Sequence, residues 1–230
     1  MRVQGILRFT VWVFAFILAV FFLHKALEIH MDFFKNVKVV KAALKEDSET
    51  SEVIKPSTYV CGRTKPCPER HFAFKMTSGA ANAVGPKICL ENTILMSEGK
   101  RNTGRGMNIA LVDGHSGNLT RTAIFDIYSG DVKELTAFLK TITYGTIVMI
   151  ASFDDAASKL NDEVKKMIGE LGSTNITTIE FRDSWVFVGG KGIRSKSPFE
   201  KIKKKKIDGD MYDGWPELVE MDGCIPQRNL

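Results

Sequence analysis

Five consecutive apolar residues, Ile147-Val-Met-Ile-Ala151, form the centre of the run from Thr146 to Phe153. A run this short with no polar alternation reads as a strand buried on both faces. A second run, Trp185-Val-Phe-Val188, is aromatic and β-branched and stops at Gly189-Gly190, as a buried strand ending in a close-approach turn does. Helical spacing flanks the first run. Upstream, Val132, Leu135, Phe138, Leu139 and Ile142 fall on one face, with Ser129 as cap and Tyr144-Gly145 as the stop. Downstream, Ala157, Leu160, Val164, Met167, Ile168 and Leu171 keep register as far as Gly172. Asp154-Asp155 stand where that helix begins, a place that favours negative charge. Strand, helix, strand, helix, strand predicts an α/β core with right-handed connections. Hairpins belong at its edge: residues 71–77 with 87–91, and 107–112 with 119–127.

Four cysteines, Cys61, Cys67, Cys89 and Cys224, span this region. None forms a Cys-x-x-Cys pair and the chain has only 4 histidines, so disulfides are expected and a metal site is not. Of the three possible pairings, a local Cys61–Cys89 link with a long-range Cys67–Cys224 link is favoured, because neighbouring strands are easily bridged.

The N-terminus agrees with an oxidising compartment. Arg2 and Arg8 precede a run from Phe9 to Leu23 broken only by Thr10. This fits a signal-peptide core and is shorter than a comfortable membrane span of about 20 residues. Residues 1–25 are read as a signal peptide or signal anchor, with cleavage favoured, and residues 26–58 as a charged stalk. The globular domain is placed at 59–227 and a tail at 228–230. Asn118-Leu-Thr and Asn175-Ile-Thr are N-glycosylation sequons. The expected destination is secretion through the endoplasmic reticulum and Golgi.

A net charge of +5 that leans on Lys201-Ile-Lys-Lys-Lys-Lys206 does not argue for nucleic acid. The run is read first as a solvated loop, with heparan-type polyanions or processing proteases as the alternatives. Lys100-Arg-Asn-Thr-Gly-Arg-Gly106 lacks P-loop spacing and is read as a solvated turn rather than a phosphate cradle. Acids and an arginine gather at predicted strand ends: Asp126, Asp154, Asp155, Arg182 and Asp183. Each is either a cap or loop pin, or part of one cleft beyond the strands. A Ser–His–Asp set would need His71 or His115, in a strand and a hairpin tip. With no convergent acid, base and nucleophile, no enzyme activity and no cofactor are expected.

Ordered motifs from Tyr59 to Gln227 carry a resemblance. They include Cys61-Gly, Cys67-Pro, His71-Phe-Ala-Phe-Lys, Ser78-Gly-Ala-Ala-Asn, Gly85-Pro-Lys-Ile-Cys-Leu-Glu91 and Gly104-Arg-Gly. Further on stand Phe125-Asp126, Ser129-Gly-Asp-Val, Phe181-Arg-Asp-Ser-Trp-Val-Phe, Lys196-Ser-Pro-Phe-Glu200 and Gly214-Trp-Pro-Glu. The sequence resembles the interleukin-like EMT inducer and pancreatic-derived factor (PANDER) family, most of all its interleukin-like EMT inducer branch. The resemblance implies a compact β-β-α domain, its sheet flanked by short helices and held by the same two disulfides. It implies a secreted, non-catalytic, cytokine-like protein with a cell-surface receptor. A similar domain forms the sugar-binding stem of an O-mannose N-acetylglucosaminyltransferase. By that likeness Asp126, Arg182, Asp183 and Trp185 become candidates for a carbohydrate-facing cleft, with a plain core role the main alternative for Trp185. Where the nearest family pattern has an additional cysteine, this chain has Val188. A dimer linked by a thiol there is excluded, leaving a monomer or a non-covalent oligomer.

Overall fold

The computed structural model describes Lys25, residues 59–205 and residues 214–228. The chain divides into two units, Met1–Lys55 and Pro56–Leu230. The signal, the stalk and Lys206 lie outside the described residues, apart from Lys25. Among the described residues no helix is long and apolar enough to cross a membrane.

The second unit is mostly β. Its strands are β1 (His71–Thr77), β2 (Lys87–Leu90), β3 (Thr93–Met96), β4 (Gly106–Asp113) and β5 (Leu119–Phe125), then β6 (Thr146–Phe153), β7 (Ser184–Gly190), β8 (Phe199–Lys203) and β9 (Glu220–Pro226). Two nine-residue helices interrupt them, α1 (Val132–Lys140) and α2 (Asp162–Glu170). One sheet has the order β3-β2-β1-β9 and the other β5-β4-β6-β7-β8. Every pairing between named strands is antiparallel. The predicted α/β domain holds in part: it is mostly β, and although β5 and β6, joined through α1, run parallel with β4 between them, the second strand–helix–strand step does not. β6 and β7 are joined through α2, yet they lie side by side in opposite directions, so α2 is an excursion and not a parallel crossover. β3, β8 and β9 had no sequence signal: one is four residues long, one is rich in lysine, and one contains Gly223 and ends on Pro226.

The two buried runs explain the layering. Side chains alternate across a strand. On β6, Ile147, Met149 and Ala151 join one core while Val148 and Ile150 join another. On β7, Val186 and Val188 point with the first set, Trp185 and Phe187 with the second. The first core is closed by Phe72, Phe74, Met76, Ile88 and Leu90 of the four-stranded sheet. The second is closed by Leu135, Phe138 and Leu139 of α1 and Val164 and Ile168 of α2. Each such large side chain stabilises the fold by about 1.5–3 kcal/mol through burial.

The helix caps also differ from the sequence reading. Asp131, not Ser129, caps α1 by accepting from the Lys133 amide. Asn161, not Asp154 or Asp155, caps α2 by accepting from the Val164 amide. Disulfides join Cys61 to Cys89 and Cys67 to Cys224. Both brace the four-stranded sheet, against which neither described α-helix packs.

Candidate functional site

Antiparallel pairing brings the candidate acids together for a reason other than the one expected. β5 and β6 both pair with β4, so they run parallel to each other and end at one edge of the five-stranded sheet. Met107 lies opposite Phe125 and Gly106 opposite Phe153, so Asp126 and Asp154 leave the sheet on either side of the start of β4. β7 begins at the same edge, which delivers Arg182 and Asp183. Gly106, at φ +102°, is required here: a Cβ would lie 1.9 Å from the Phe125 carbonyl oxygen.

Most of these groups are consumed by the fold. Asp126 accepts from Arg105 Nη2 at 2.7 Å and Nε at 3.3 Å, from the Tyr128 and Ser129 amides, and from the Ser129 hydroxyl. The Arg105 guanidinium first, then the Ser129 and Tyr128 donors, hold its carboxyl well below the usual carboxylate range against the opposing effect of burial. Asp183 is 2% exposed and pins the loop it sits in. It accepts from the Glu180 and Lys205 amides at 2.8 and 2.9 Å and pairs with Lys204 at 2.9 Å. Trp185 is fully buried, stacked on Phe187 with centroids 5.7 Å apart, and donates its indole N–H to Glu200 at 2.9 Å. Glu200 also accepts from Ser173 and Thr174. Burial pushes its carboxyl up, but these donors outweigh burial and hold it below its ordinary value.

Asp154, Asp155 and Arg182 are different. Asp155 is fully buried. Its Oδ1 accepts from the Ala157 and Ser158 amides, while Oδ2 has no hydrogen-bond partner among the described residues. The Nε of Arg182 is likewise buried and has no hydrogen-bond partner among the described residues. The Arg182 guanidinium lies between two rings, 3.9 Å from the Trp215 centroid and 4.8 Å from that of Phe181. Asp154 and Arg182 both adopt left-handed backbone, at φ 59° and 69°. For arginine that conformation is strained. Burial raises the Asp154 carboxyl above its usual value. Arg105 and Arg182 oppose the rise, and Asp155 and Asp126 add to it.

The result is a polar edge where Arg105, Asp126, Asp154, Asp155 and Arg182 gather, with Tyr128, Phe181 and Trp215 against the two guanidiniums. Tyr128 is exposed and has Arg105 4.9 Å from its centroid. Sequence reasoning passed over Arg105 because it was grouped with the basic turn. Its one available signal was its place directly before Gly106 at a strand start. Among the described residues no group of three or more histidine, cysteine or acidic side chains is arranged to hold a metal ion.

Three of the lysines described in the run are engaged by the fold. Lys201 donates to the Glu220 carbonyl, Lys203 pairs with Glu217, and Lys204 pairs with Asp183 and donates to the Thr178 carbonyl. Part of it is strand β8, not loop. The Lys100–Arg105 segment is equally occupied. Asn102 accepts from the Ser97 amide and donates to the Leu95 carbonyl, holding the turn closed.

Comparison with known proteins extends over nearly the whole chain. Residues 105–193 match the family described as "Interleukin-like EMT inducer". Protein FAM3C of Rattus norvegicus is 52% identical over 228 residues, covering 99% of each chain. Protein FAM3C of Homo sapiens is 50% identical over the same length, with 99% of each covered. Protein FAM3A of Mus musculus is 51% identical over 185 residues, 80% of each chain. Identity at this level along the full length leaves one conclusion: the chain belongs to the interleukin-like EMT inducer family and is a cytokine-like protein.

Proposed function

We propose that this protein is a secreted ligand that acts by binding a receptor on the cell surface, with no chemistry of its own. The observation that carries this reading is the full-length identity to cytokine-like relatives. The half-exposed Cys67–Cys224 bridge supports export, because such bridges persist in oxidising compartments. In this reading residues 1–25 direct the chain through the endoplasmic reticulum and Golgi, residues 26–58 form a stalk, and residues 59–227 are the active body. Asn118 is exposed and Asn175 half-buried, and both are proposed glycan acceptors.

A second reading concerns what the polar edge contacts. Asp154, half-buried in the field of Arg105 and Arg182, together with the exposed Tyr128 and Phe181, suits a carbohydrate. Carboxylates and guanidiniums bond hydroxyls, and exposed aromatic faces stack on a pyranose.

One cell-binding experiment separates the two. Labelled protein is expected to bind cells saturably, and Asp154→Ala and Arg182→Ala are expected to leave that binding intact. If binding instead disappears on glycosidase treatment of the cells and in both variants, the partner is a glycan and the polar edge reads it. Absence of saturable binding to any responsive cell type would overturn the ligand reading.

A further inference from the structure

A pocket of about 280 Å³ opens into the core between the two sheets, at the end where β7 stops. There β6 and β8 begin and β7 and β9 end, with Ile147 opposite Gly190 and Val188 opposite Phe199. Ile147, Val188 and Ile225, all buried members of that core, form the floor with the half-buried Phe199. Residues 193–198, which join β7 to β8, make one wall with Ile193 and Pro198. Gln227 and Arg228, which follow β9, make the other. The floor offers no side-chain donor or acceptor, so whatever replaces water on it must be apolar.

The rim carries charge of one sign. No acid lines the pocket, and Lys196 and Arg228 are its cations. Lys196 is committed, its ammonium donating to the Gly169 and Ser173 carbonyls at the C-terminal end of α2. Arg228 is not: its guanidinium has no carboxylate partner among the described residues. Its place is fixed through its backbone. The Arg228 amide donates to the Gly114 carbonyl at 2.7 Å, and its carbonyl faces His115 Nδ1 at 3.4 Å. The side chain then crosses Gly190, on the same face of β7 as Val188, where a Cβ would lie 2.7 Å from Nη2. The guanidinium thus stands over the Ile147–Gly190 pair, at the mouth of the apolar pocket. Its forked N–H donors match the two oxygens of a carboxylate.

We propose that this pocket binds a medium-chain aliphatic carboxylate, its tail against Ile147, Val188 and Ile225 and its headgroup on Arg228. The volume, at the small end of ligand pockets, excludes a long tail. The test is titration calorimetry of the full chain with octanoate, 1-octanol and acetate as separate arms. Octanoate is expected to bind saturably, 1-octanol about tenfold more weakly for want of the charge, and acetate not at all for want of the tail. Arg228→Gln should weaken octanoate about tenfold, the loss of a charge-assisted bond, and leave 1-octanol unchanged. Arg228 reaches Gly114 through its backbone, so the variant keeps that contact. Methyl NMR shifts on titration should concentrate at Ile147, Val188, Ile193 and Ile225. No saturable octanoate binding, equal binding of 1-octanol, binding of acetate, shifts scattered elsewhere, or indifference to Arg228→Gln would each overturn the assignment. So would the same methyl shifts on raising protein concentration alone, which would make the occupant a second copy of the chain.

Discussion

The turns that leave β5 and β6 each begin with an aspartate at the same sheet edge, and the two are opposites. Asp126 receives five donor contacts, a guanidinium among them, and is held ionised. Asp154 is more buried, has a left-handed backbone, faces another acid, and resists ionisation. The Asp126 turn is a structural device whose charge stabilises the fold. In the Asp154 turn the charge works against the fold, and its neighbours Asp155 and Arg182 each keep a buried polar atom with no partner among the described residues.

Substitutions ordered by size of effect sharpen that contrast. Asp183→Ala is expected to be the most damaging, lowering stability by about 3 kcal/mol, because a buried acid, its Lys204 partner and two backbone donors are lost together. Urea unfolding measures it, and a loss under about 1 kcal/mol would remove Asp183 from the structural class. Asp126→Asn should cost about 1–2 kcal/mol, discounted because the Arg105 pair is partly exposed.

Asp154→Asn should move the other way. The amide removes a charge the site disfavours and keeps a residue type that tolerates left-handed backbone. A slightly higher Tm than wild type at neutral pH is expected, and a lower one would abolish the contrast.

The pH dependence is a further check. Asp126 has a depressed folded value, so its stabilisation is present above its unfolded pKa of about 4 and is lost as pH falls through the folded value. Asp154 has a raised folded value, so its penalty applies at neutral pH and is relieved as pH falls towards about 4. Acid titrations of stability should therefore lose their late decline in Asp126→Asn and their early rise in Asp154→Asn. Identical curves for both variants would show that the two acids share one environment.

Several features were legible beforehand, each because a short-range rule governs it. Period-two and apolar runs located β1, β4, β5, β6 and β7, since burial on one or both faces leaves its mark residue by residue. The helical faces of α1 and α2 were legible for the same reason. Their caps were misread because Ser129, Asp131, Asp154, Asp155 and Asn161 are all competent acceptors, and the choice among them depends on where the backbone turns. The direction of β7 was misread as well: a strand–helix–strand pattern does not say whether the returning strand runs with or against its predecessor, and β7 runs against β6.

What the chain's residues determined alone was composition of the layers: which segments are buried, which cysteines are available, and which family the motifs spell. What only the tertiary structure decided was adjacency. Asp126, Arg105, Asp154 and Arg182 come from four separate strand ends. Such meetings are fixed by long-range strand register and antiparallel direction, which depend on the packing of the whole core and leave no local pattern to read.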